Sequence, residues 1–126
     1  MKKLAYKILP YILIGFLMLI VWQSCEWEKM DPVEVSDLPE TVSFSMHVQP
    51  IFNINCTQCH NGTTPPNLLP DDSYIELIGG AYIKTDDPGQ SKFYKAIDLG
   101  GSMYQYASDL DRAMILKWIT QGAEEN

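Results

Sequence analysis

The chain has 126 residues and a formal net charge of −7, enough for one domain and too few for a large α/β enzyme. Its 46% hydrophobic and 20% charged residues exclude wholesale disorder. No Lys/Arg stripe is present to neutralise phosphates, so the acidic balance excludes nucleic acid as a partner.

The N-terminus departs from these averages. Lys2, Lys3 and Lys7 precede an unbroken apolar run from Ile8 to Trp22, and Gln23, Ser24 and Cys25 follow. A basic start, an apolar run of about fifteen residues and a small residue before a cut site predict a secretory signal over residues 1–24. The run is shorter than the roughly 20 residues that span a bilayer; an uncleaved signal anchor is the alternative. Cys25, directly after Ser24, resembles the lipobox cysteine of bacterial lipoproteins. That resemblance implies lipid attachment at Cys25 and cleavage before it. The protein is then exported and anchored to a membrane, facing the periplasm or the cell surface. Three of the nine basic residues fall in the signal and all sixteen acidic residues lie at or after Glu26, so the mature chain of 102 residues carries −10.

Residues 25–41 read as an acidic tether. Glu26, Glu28, Asp31, Glu34, Asp37 and Glu40 alternate with isolated apolar residues, and Pro32 and Pro39 interrupt any helix. Repulsion among like charges keeps such a segment extended. The folded domain occupies residues 42–126. A core of that size is marginal without a disulfide, a metal or a bound cofactor.

Within it, Ser45 is the expected cap of a helix running to about Asn55, with Val48, Ile51 and Phe52 on one face. Pro50 lies early in that helix, where a missing N–H costs least. Then comes Cys56-Thr57-Gln58-Cys59-His60, a C-x-x-C-H motif. This spacing marks covalent haem c attachment. Two intervening residues let both thiols reach the vinyl groups on one porphyrin edge, and the next residue, His60, offers its imidazole to the iron. A thioredoxin-type motif needs a βαβ setting that the sequence lacks. A zinc finger needs four ligands, and Cys56, Cys59 and His60 are too crowded to serve with His47. A plain disulfide is the remaining rival. With the haem reading every cysteine is accounted for: Cys56 and Cys59 on haem, Cys25 on lipid.

Three further helices follow in the sequence pattern. Asp72 or Ser73 caps one through Ile78, stopped by Gly79-Gly80. Ser91 caps another through Ile97, with Phe93 and Ile97 four apart. Ser108 caps the last, Asp109 to Gln121, with Asp109 and Asp111 in its positive first turn and Gly122 at C′. Leu110, Met114 and Trp118, with Ile115 and Ile119, form its expected buried stripe.

Around the motif the chain resembles small class I cytochrome c domains, here on a Gram-negative bacterial lipoprotein. The resemblance spans about residues 42–123 and rests on Phe44-Ser45, Val48-Gln49-Pro50-Ile51-Phe52, Cys56 to His60, Pro66-Asn67-Leu68 and Trp118-Ile119-Thr120-Gln121-Gly122-Ala123. It implies an all-α, cytochrome c-like fold of about four short helices around one covalently bound haem c. First and last helices should cross, with Ile51 or Phe52 near Ile115, Trp118 or Ile119. It also implies a proline carbonyl, at Pro66 or Pro65, orienting His60, and Leu68 against the haem. The distal ligand would be Met103, in the loop Gly100-Gly101-Ser102-Met103-Tyr104, where the family often has Met-Pro. Met30, Met46, Met114 and His47 are the other candidates in the mature chain. His47 reads as an exposed helix histidine. Tyr74, Tyr82, Tyr94, Tyr104 and Tyr106 are available to bond propionates or to line the pocket.

No catalytic constellation accompanies the motif. The expected function is a membrane-tethered, monohaem electron carrier, not an enzyme, with no small-molecule substrate. Its acidic surface favours a basic redox protein partner. The alternatives are a gas sensor or peroxidase-like enzyme, if the distal iron site is open, and a haem subunit of a larger respiratory complex.

Overall fold

The computed structural model describes residues 38–126. The expected signal, the expected lipid-attachment residue Cys25 and most of the expected tether lie outside the described residues. Among those described, the chain is helical with no strand, in the order of the four expected helices: α1 (Gln49–Asn55), α2 (Ser73–Gly79), α3 (Lys92–Ile97) and α4 (Asp109–Thr120). Short 3₁₀ turns at Pro88–Gln90 and Tyr104–Tyr106 precede α3 and α4. No helix among the described residues is long and apolar enough to cross a membrane.

The start of α1 differs from the sequence expectation. A π-helical turn, Phe44–Val48, leads into it, and the cap is Ser43, whose hydroxyl accepts from the Met46 N–H at 3.2 Å. Pro50 cannot donate to the Met46 carbonyl, and the wide turn gives way to α-helix just before it. Ser45 is occupied elsewhere: its hydroxyl donates to the main-chain oxygen of Asn126 at 2.7 Å, as does that of Ser43. His47 is half-buried, and its Nδ1 accepts the Ser43 N–H at 2.9 Å.

The other caps divide. Ser108 forms a full capping box with Asp111. Asp72 precedes α2 without capping it; its carboxylate accepts from Asn67 at 2.7 Å. Ser73 is buried and donates to Gln49. Ser91 precedes α3, but its hydroxyl turns to the main chain of Lys84, accepting its N–H at 2.9 Å.

The core gathers Val42, Phe44, Val48, Phe52, Leu68, Leu77, Phe93, Ile97, Ile115, Trp118 and Ile119. The last helix also packs on the π turn, seven or eight residues before the expected Ile51 or Phe52. Trp118 lies on Phe44 of the π turn at 5.1 Å between ring centres, and Phe44 also makes edge contacts with Phe52 and Tyr74. The stripe on α4 is rotated from the expected one. Leu110 is 42% exposed, Met114 is half-buried, and Arg112 takes the buried place one turn before Ile115. Leu110 sits in the first turn of α4, and the polar partners that draw Arg112 inward lie on the preceding loop. Domain packing starts where the acidic segment ends: Val42 is 1% exposed, and Gln121 bonds both the Val42 N–H and the Glu40 carbonyl at 2.9 Å.

Candidate cofactor site

One cavity of about 520 Å³ opens beside the C-x-x-C-H turn. Interiors are close-packed, so a space of this size in so small a core falls within the size range of small-molecule and cofactor pockets. Its walls carry Cys56, Cys59, His60, Pro66, Leu68 and Met103. The chain thus brings these six residues to one cavity. Of the described alternatives for a distal ligand, Met46 is 74% exposed, Met114 packs against the core, and His47 caps its own turn; none lines the cavity.

The motif is presented by the end of α1. Cys56 closes that helix, its N–H donating to the Phe52 carbonyl at 2.8 Å, and the His60 N–H returns to the Cys56 carbonyl at 2.9 Å. The loop to Leu68 is then shut by the Leu68 N–H on the His60 carbonyl at 2.8 Å, while buried Gln49 donates to the Leu68 carbonyl at 3.1 Å. Leu68 is 1% exposed and so forms a fixed piece of wall.

This loop sets the imidazole. His60 Nδ1 lies 3.1 Å from the Pro66 carbonyl and 3.2 Å from that of Thr64. A carbonyl only accepts, so Nδ1 is the donor in both contacts, which leaves Nε2 as the nitrogen that can face a metal. That is the arrangement of a metal-ligating histidine whose second nitrogen is held by the main chain. Pro66, not Pro65, makes this contact.

The two thiols are free. Burial, assisted by the nearby Asp111 carboxylate, pushes the Cys56 thiol up to about 11. Cys56 is therefore neutral at pH 7, the wrong protonation state for thioredoxin-type exchange. Among the described residues no three His, Cys, Asp or Glu side chains gather into a metal-ion cluster.

On the wall of the same cavity, Met103 is held by its backbone. Its N–H donates to the Ala96 carbonyl at the end of α3, at 2.7 Å. Gly101 makes this approach possible: a Cβ there would fall 2.3 Å from the carbonyl oxygens of Lys95 and Ala96. Gly100 next to it has φ +83° with open space around it. Apolar wall is added by Ile51 of α1, Phe93, Ala96 and Ile97 of α3, and Ile115 of α4.

The sequence reading missed part of this site. Phe93 and Ile97 were legible as a helix stripe, but not as cavity wall. Lys92 lines the cavity with its ammonium 4.6 Å from the centre of the Tyr82 ring, which is also lining. No local pattern ties these two residues together. Of the five tyrosines, Tyr82 and Tyr106 line the cavity. Tyr74 donates to the Ala123 carbonyl at 3.1 Å, Tyr94 is buried in the core, and Tyr104 lies under Arg112.

The donor set fits a covalently held haem: two thiols three residues apart, an imidazole whose Nδ1 is held by main-chain carbonyls, a thioether and apolar walls. No family model matches the chain, and no curated protein or solved structure matches it either.

Proposed function

We propose that this chain is a monohaem c-type cytochrome domain, tethered to a membrane, that passes single electrons between protein partners. The observation that supports this best is the His60 clamp. An imidazole whose Nδ1–H is tied to Pro66 stands in the same cavity as both motif cysteines and Met103.

Bound haem c would supply a reversible one-electron couple. Cys56 and Cys59 would hold it through thioethers. His60 would ligate iron through Nε2, with Pro66 fixing the ring plane and making the imidazole more basic. Met103 would take the sixth position, and a thioether there raises the potential relative to a second histidine. Ile97, Leu68, Phe93 and Ile115 exclude water, which keeps the local dielectric low. The charge of −10 on the expected mature chain favours encounter with a basic partner, and salt weakens that attraction.

Purified native protein tests this with an optical spectrum and a denaturing gel. Colour that stays with the denatured chain, together with the weak red-end band of ferric thioether ligation, is the expected result. Loss of colour on denaturation overturns covalent haem. Ready carbon monoxide binding by the reduced protein, without the band, would favour the open-iron reading. Cys25→Ala should release the protein from membranes; retention would favour an uncleaved anchor.

A further inference from the structure

Arg112 is a buried cation outside the cavity. It is 8% exposed, yet it lies in the first turns of α4, where the helix dipole opposes a positive charge. A buried guanidinium persists only with partners. It has them on the loop that carries Met103. It donates to the carbonyls of Tyr104, at 3.3 Å, and Ala107, pairs with Asp109, and stacks on the Tyr104 ring at 4.3 Å. Those two carbonyls bracket the 3₁₀ turn Tyr104–Tyr106, whose Tyr106 N–H donates to the Met103 carbonyl at 3.0 Å. Arg112 is not part of the cavity wall; Met103, Tyr106 and Ala107 are.

We infer that Arg112 is a positioning residue: it grips the turn after Met103 from outside the cavity and so fixes where the thioether stands. The inference rests on the reading of Met103 as an iron ligand. The loop is thereby held on two sides, by the end of α3 through the Met103 N–H and by α4 through the guanidinium. One guanidinium nitrogen, Nη1, serves both carbonyls while Nη2 holds Asp109 and the flat face lies on the Tyr104 ring; an ammonium has no second nitrogen and no flat face, so lysine cannot make all of these contacts at once.

The test uses the holoprotein with Arg112→Lys and Arg112→Met, the second keeping most of the apolar stem. Main-chain hydrogen exchange at Met103 and Tyr106 should rise about tenfold or more in both variants, with Phe52 and Ile119 unchanged. The ferric thioether band should weaken and disappear at a lower temperature than in the wild type, and the reduction potential should fall. Wild-type exchange and band in both variants would overturn the inference. So would equal acceleration at Phe52 and Ile119, because Arg112 would then act on the whole domain. Met103→Ala serves as the reference. If it leaves the ferric spectrum unchanged, the ligand assignment falls, and the exchange measurement still decides alone whether Arg112 holds the turn.

Discussion

Two regions of the domain are built on different terms. Around Trp118, the π turn, α4 and the C-terminal residues close on one another with aromatic contacts and main-chain bonds, including the Trp118 indole N–H on the Glu124 carbonyl at 2.9 Å. Around the C-x-x-C-H turn, by contrast, α3 and the Met103 loop face a cavity of about 520 Å³. The first region is completed by its own side chains. The second has its backbone fixed by hydrogen bonds while its apolar walls face a shared space. The difference locates stability and chemistry in separate places, and substitutions should separate them.

The strongest blow to the cavity region is Cys56→Ser together with Cys59→Ser. It should abolish covalent haem and with it cooperative unfolding of the domain, followed by circular dichroism on heating. A cooperative, haem-free variant would show that the packed region is sufficient. Trp118→Ala attacks the other side and should cost about 3–5 kcal/mol in urea unfolding, with the folded fraction keeping the wild-type ferric spectrum. Met103→Ala should reverse that pattern: loss of the thioether band and a lower potential, at a smaller stability cost than Trp118→Ala because Met103 is only half-buried. Ser108→Ala removes the capping-box hydroxyl and should cost about 1 kcal/mol, with no spectral change.

What could be read in advance follows the same division between local and distant causes. The helices ending at Ile97 and near Thr120, and the glycine stop after α2, depend on neighbours a few residues away and were legible. The C-x-x-C-H spacing is likewise local and can be read without the fold. The helical turn starts at Ser43 rather than Ser45, where the main-chain oxygen of Asn126, 81 positions along from Ser45, receives both hydroxyls and the Ser45 N–H. Leu110 yields its buried place to Arg112 because the carbonyls of Tyr104 and Ala107 are there to receive a guanidinium. Ser91 abandons its capping role for Lys84. In each case a partner supplied by the fold outbid a local preference.

The two glycines before Met103 carry constraints of different kinds. At Gly100 the obstacle is handedness: the backbone is left-handed and the surroundings are open, so a D-alanine introduced by chemical synthesis should be accepted there. At Gly101 the obstacle is volume, since two main-chain oxygens of α3 occupy the space a side chain would need. A library randomised across both positions should therefore recover asparagine at 100 far more readily than any side chain at 101. The reach of the methionine loop toward the end of α3 is set by that single absent methyl group.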